Sequence, residues 1–160
     1  MSEQKALSAT RLWLVMMKAY DAVRTFAEDS IVGTGLGLSD FIVLEMLLHK
    51  GPLSMTQIAE KARLANASTT AAIDRLERRN LVRRGFHATD RRVRVVELTD
   101  EGEKLIRCTF TAHSRDLEEM MRPLSVADRQ ALHNGLKKLG QTAAVANNKA
   151  KSQRQEGEKA

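Results

Sequence analysis

Residues 53–106 read LSMTQIAEKARLANASTTAAIDRLERRNLVRRGFHATDRRVRVVELTDEGEKLI, and the fold is decided in this run. Ser54-Met55-Thr56-Gln57 fits a capping box, in which the Ser side chain takes the N3 amide and the Gln reaches back. It predicts a short helix to about Ala62. After the turn Arg63-Leu64-Ala65-Asn66, a second helix is expected to about Arg79, with Thr69, Ala72, Ile73 and Leu76 on its buried face. Asn80 sits where a left-handed cap is wanted. The period then shortens. Residues 81–86 and 92–98 are rich in Val, Leu and Phe and flank the charged turn His87-Ala88-Thr89-Asp90-Arg91, so the pair reads as a hairpin. Thr99 caps a further helix whose positive end carries Asp100, Glu101 and Glu103. Two short helices on a four-residue turn, followed at once by a basic hairpin, are the parts of a winged helix-turn-helix. The fold class is mostly α with a small β-hairpin wing.

Charge points the same way. Between Arg63 and Arg94 lie nine arginines, no lysine and three acids (Asp74, Glu77, Asp90), an excess of six. The whole 160-residue chain has a net charge of +6, so everything outside the window sums to zero. So localised an excess, all of it Arg, suits a surface that meets phosphates and base edges. The second helix opens with Asn66-Ala67-Ser68-Thr69-Thr70-Ala71, small enough to approach bases in the major groove. Arg91 and Arg92 on the hairpin suit the minor groove, where negative potential concentrates. Double-stranded DNA is the expected partner.

Outward from this run, Leu12, Trp13, Met16, Tyr20, Val23 and Ala27 trace a helical stripe over residues 8–27. Gly33, Gly35 and Gly37 form a loop without the dinucleotide fingerprint. Ser39 reads as the N-cap of a helix to about His49, ended by Gly51-Pro52. Beyond Thr99, a long helix striped by Leu105, Ile106, Phe110, His113, Leu117, Met120 and Met121 runs to Pro123. A last helix starts at Ser125-Val126-Ala127-Asp128 and is striped by Leu132, Leu136, Leu139 and Ala143. The expected organisation is a helical dimerisation region at 1–35 and 123–146, a DNA-binding lobe at 36–100, a linking helix at 100–122, and a frayed polar tail at 147–160.

The 42% hydrophobic content is enough for one sizeable core. No apolar run approaches a membrane span. The single cysteine, Cys108, excludes an internal disulfide and fits a reducing compartment, so a cytoplasmic protein is expected. Cys108 itself reads as a small buried hydrophobe. His49, His87, His113 and His133 form no ligand-spaced cluster, so no metal and no cofactor are expected. There is no nucleophile motif, no paired carboxylate cleft and no phosphate-cradling loop, which argues against an enzyme.

The run also resembles the DNA-binding lobe of the MarR (multiple-antibiotic-resistance regulator) family. The pieces are Asp74-Arg75-Leu76-Glu77, Leu81-Val82-Arg83-Arg84, Asp90-Arg91-Arg92 and Leu98-Thr99-Asp100-Glu101-Gly102, in order and spacing over about fifty residues, with the likeness extending over roughly 8–146. The resemblance implies a homodimeric, sequence-specific regulator, most often a repressor, on a pseudo-palindromic operator. It implies that Asp90 orients Arg92 into the minor groove, that Arg91 meets phosphate, and that Ser68, Thr70 and Arg75 face the DNA. Ser54, Thr56, Gln57, Thr69, Arg83 and Arg84 complete the expected DNA-binding set. Ala65 stands where a capping Ser is common, so Asn66 is expected to take over the cap. Ala71 stands where a basic residue is frequent, which shifts reading toward Ser68, Thr69 and Thr70. The resemblance further implies release by a small aromatic or anionic effector, with Trp13, Met16, Tyr20, Met46 and His113 as candidate contacts. A sequence-tolerant architectural DNA binder and a winged-helix protein adaptor are the alternatives. The arginine-rich wing disfavours the adaptor, whose docking face would be apolar.

Overall fold

The order of elements is α1 (Ala9–Val32), α2 (Leu38–Lys50), α3 (Met55–Ala62), α4 (Asn66–Arg78), β1 (Val82–Phe86), β2 (Arg94–Leu98), α5 (Asp100–Met120) and α6 (Val126–Gly157). The structure is a computed structural model and describes residues 8–86 and 92–157. The chain falls into two compact units that divide after Leu117.

The first unit holds the core. Ile31, Leu36, Phe41, Val43, Leu44 and Leu47 meet Ile58 of α3, Ala72, Ile73 and Leu76 of α4, Val82 and Val96 of the hairpin, and Ile106 of α5. The α4 face is the one expected, with Thr69, Ala72, Ile73 and Leu76 all buried. The strands pair antiparallel with Val82 opposite Leu98 and Arg84 opposite Val96. A third segment joins them: Leu53 exchanges both backbone hydrogen bonds with Val96, at 3.1 and 2.8 Å. One residue in extended pairing carries no period, so this bridge has no signature in the sequence.

Local chemistry sets the ends of the elements. The capping box forms: the Ser54 amide donates to Gln57 Oε1 at 2.9 Å and the Gln57 amide to Ser54 Oγ at 3.2 Å. At the end of α4, the Asn80 amide donates to the Glu77 carbonyl and the Leu81 amide to the Leu76 carbonyl, both at 2.9 Å. Asn80 itself is left-handed at φ 56°. These are the paired bonds of a Schellman motif, and Leu76 and Leu81, which flank it, are both buried in the core. Thr99 Oγ1 accepts from the Gly102 amide at 3.0 Å and donates to the Asn80 carbonyl at 2.7 Å, so the α5 cap is tied to the α4 cap. Gly102 is obligatory there, because a Cβ would lie 1.8 Å from the Leu81 carbonyl oxygen.

Four expectations are corrected. Gly37, not Ser39, is the N-cap of α2; Ser39 lies inside the helix, where its hydroxyl accepts from Arg75. Asn66 does not cap α4. Ala65 is the N-cap, without a side-chain bond, and Asn66 is the first helical residue. α1 extends past Ala27 to Val32, because the glycines that end it begin only at Gly33. α6 continues to Gly157 where a frayed tail was expected from 147. Its last turns lack an apolar period but contain Lys149, Ala150, Lys151, Gln153, Arg154 and Gln155, which favour helix on propensity alone.

Candidate nucleic-acid interface

Ser68 and Thr70 are exposed near the leading end of α4, beside exposed Asn66, Ala67 and Ala71. The helix thus presents short hydroxyls and methyls, the groups that can meet a base edge without holding the helix off. Thr69 does not belong with them. It is 1% exposed, and its hydroxyl donates back to the Ala65 carbonyl at 3.2 Å. The period that put Thr69 on the buried face decides its role, and its place in the DNA-facing set is withdrawn. On α3, Thr56 and Gln57 are exposed, and Ser54 Oγ and Gln57 Oε1 accept the two bonds of the capping box.

The arginines divide by partner. Arg75 donates from Nη2 to Asp40 Oδ1 at 2.6 Å, from Nε to Asp40 Oδ2 at 3.3 Å, and from Nη2 to Ser39 Oγ at 3.1 Å. The Asp40 side chain is only 6% exposed. Hydrogen bonding to Asp40 raises the Arg75 pKa against the opposing effect of burial. Arg84 donates from Nη2 to Asp74 Oδ1 at 2.5 Å and from Nη1 to Glu77 Oε2. The bond to Asp74 is the largest cause of its raised pKa. Arg83, opposite Glu97 across the strands, pairs with it at 2.8 Å while remaining 68% exposed. Arg79 donates to the Gly35 and Thr34 carbonyls at 2.7 and 3.3 Å, holding the loop between α1 and α2. The sequence reading missed Asp40, Glu97 and the loop carbonyls as partners, since each lies far from its arginine along the chain or across a strand pair.

Arg92 is exposed at the β2 end of the hairpin. Asp90 and Arg91 lie outside the described residues, so the expected orienting of Arg92 by Asp90 has no geometry here. Arg94 stacks its guanidinium 5.8 Å from the Phe86 ring centre, which stiffens the base of the wing.

The expected effector residues do not converge within one chain. His113 is buried, with Nδ1 2.6 Å from Ser30 Oγ and its ring edge-on to Phe41 at 4.9 Å. Ser30 is seventeen residues from Trp13 on the same helix, about 25 Å along the axis, and about 15 Å from Tyr20. One small molecule in one chain cannot touch His113 and Trp13 together. Trp13 and Tyr20 are 55% and 59% exposed, Met16 is half-buried, and Met46 packs on the core. Cys108 is exposed rather than buried. Among the described residues no group of His, Cys, Asp and Glu could hold a metal ion, and no helix is long and apolar enough to cross a membrane.

Residues 36–93, which run from α2 through the helix-turn-helix and β1, match the model of the MarR family. The chain is 34% identical over 139 residues to the HTH-type transcriptional regulator MhqR of Bacillus subtilis, covering 87% of this chain and 96% of that one. Among solved structures, the transcriptional regulator BldR of Sulfolobus solfataricus superposes with a TM-score of 0.73 at 26% identity, over 88% of this chain and 99% of that one. CouR of Rhodococcus jostii, solved bound to p-coumaroyl-CoA, superposes at 0.74 over 85% of this chain and 95% of that one; at 20% identity that likeness bears on the fold alone. Relatedness along nearly the whole chain, and not only in the lobe that reads as DNA-binding, makes this protein a member of the MarR family and a MarR-type transcriptional regulator.

Proposed function

We propose that the protein is a cytoplasmic homodimeric repressor that binds a pseudo-palindromic operator through the lobe at 36–100. Ser68 and Thr70 of α4 would read the major groove. Thr56, Arg83 and Arg92 would contact the backbone or minor groove, with Arg91 on phosphate and Asp90 orienting Arg92. The observation that carries this reading is the leading end of α4, where Ser68 and Thr70 are exposed on either flank of Ala67 and Ala71, and the stripe of Thr69, Ala72, Ile73 and Leu76 behind them is buried. Dimerisation is supported by α1, on which Leu12, Trp13, Val15 and Tyr20 are exposed, and by α6, on which Leu132, Leu136 and Leu139 are exposed. Soluble monomers rarely leave such apolar stripes uncovered. A two-fold dimer places two recognition helices about one helical turn apart on the duplex.

Effector release belongs to the same reading. A small aromatic or anionic molecule would bind one shape of the dimer more tightly than the DNA-competent shape, since only differential affinity shifts such an equilibrium. The exposed Trp13 and Tyr20 support an aromatic contact. Footprinting of the full chain on genomic DNA tests the whole proposal: protection of a discrete palindrome is expected, together with twice the chain mass by light scattering. Uniform binding to any duplex of equal length would replace it with the architectural reading. A screen of phenolics that releases nothing would leave a constitutive regulator.

A further inference from the structure

Asp74 and Arg75 are neighbours on α4, yet their charges are spent on different elements. Asp74, with Glu77 one turn along, receives Arg84 from β1; Arg75 reaches Asp40 and Ser39 on α2. We infer that Arg84 and Arg75 are positioning residues, a clamp that sets the recognition helix between the wing and α2, and not phosphate contacts. This rests on the reading of α4 and the wing as the surfaces that meet DNA.

Asp40 holds Arg75 in place. Its carboxylate is nearly closed off from solvent, and a departing guanidinium would leave it buried and unpaired. On the other side, Asp74 and Glu77 would together present two negative charges on a DNA-facing helix, and Arg84 meets both with one planar fork. Turning Arg84 to a phosphate would gain one attraction and uncover two repulsions. Strand alternation completes the arrangement. Arg83, the preceding residue, must point to the other side of β1, where it pairs with Glu97 and stays 68% exposed. Adjacent arginines on one strand thus divide the work, Arg84 inward to the helix and Arg83 outward. Sequence reading requires the helix and the wing to engage their grooves together, so a clamp between them governs discrimination more than attraction.

The test compares Arg84→Met, Arg84→Lys and the pair Asp74→Asn/Glu77→Gln in the full chain. Two duplexes serve as probes: the one the wild-type chain enriches from a randomised library, and a scrambled duplex of equal length. With Arg84→Met, affinity for the enriched duplex should fall about fivefold, the scale of a half-exposed ion-pair network. Binding to the scrambled duplex should fall by less, through the two carboxylates uncovered, and the slope of affinity against salt should not change, because no phosphate contact is lost. Arg84→Lys should fail to restore discrimination, because an ammonium cannot bridge two carboxylates as a fork does; a phosphate contact would survive that change. The acid pair decides by sign. Asp74→Asn/Glu77→Gln keeps Arg84 and adds two units of positive charge, yet the clamp requires weaker binding to the enriched duplex. Equal strengthening on both duplexes would overturn the inference, as would a salt slope on the scrambled duplex lowered by about 0.9 in Arg84→Met, the signature of one lost phosphate contact. If the wild-type chain enriches no sequence, the regulator reading falls, and the scrambled-duplex slope still decides the role of Arg84.

Discussion

α4 and α1 carry the same kind of apolar stripe and meet opposite fates. On α4 the four striped residues are at most 1% exposed, covered by α2, α3 and the hairpin. On the 24 residues of α1 only Ile31 is buried, and Trp13 and Tyr20 are more than half exposed. α6 goes further, with none of its described side chains buried. A stripe therefore reports that a face is built to be covered, and says nothing about whether the cover comes from the same chain. The lobe closes on itself; the terminal helices keep their apolar faces for something else, which we propose is a second copy.

The sharpest way to break the self-contained side is Gly102→Ala. Its new Cβ would meet the Leu81 backbone at 1.8 Å, and a loss of about 4 kcal/mol is expected in denaturant unfolding, the tail of single-residue effects. Ile73→Ala removes a side chain with no exposure and should cost about 3 kcal/mol through the cavity it leaves. Leu136→Ala on α6, 48% exposed, sharpens the contrast. It should instead weaken self-association, read by light scattering on dilution, by about 1 kcal/mol. Arg75→Ala should lower stability by about 2 kcal/mol, less than a fully buried pair because the arginine side is half exposed. The smallest effect is at the start of α6. Bonds from Ser125 Oγ and the Ser125 amide hold the Asp128 carboxyl below its ordinary value of 3.8. The depressed pKa means that the cap contributes above the ordinary value and is lost as pH falls through the lower folded one. Protection of the first-turn amides of α6, relative to the intrinsic exchange rate at each pH, should fall there and not at pH 7.

What was legible follows from range. Residues 54–80 show their caps, period and turn within a few positions, and the buried face of α4 and the left-handed Asn80 were readable for that reason. Thr69 exposes the limit of reading by type: a hydroxyl beside Ser68 and Thr70 looks like a DNA contact, and only its place in the helical period puts it inside. The ionic partners of Arg75 and Arg79 lie 35 and 44 residues away, beyond any local pattern. The dense arginine window looked like one electrostatic surface, and the fold turns part of it into framework. Likewise α6 beyond 146 is held by propensity, which a search for amphipathic period passes over.

The contact at Gly102 also has a mechanical meaning. α5 is rooted at the base of the wing by Thr99, which donates to both the Asn80 and Leu81 carbonyls, and by a glycine pressed against Leu81. Its 21 residues make a rod about 30 Å long. A rod pinned that closely at one end cannot slide along its axis, and the His113 ring between Ser30 and Phe41 holds it again about 16 Å further on, so its direction in the lobe is set as firmly as its position.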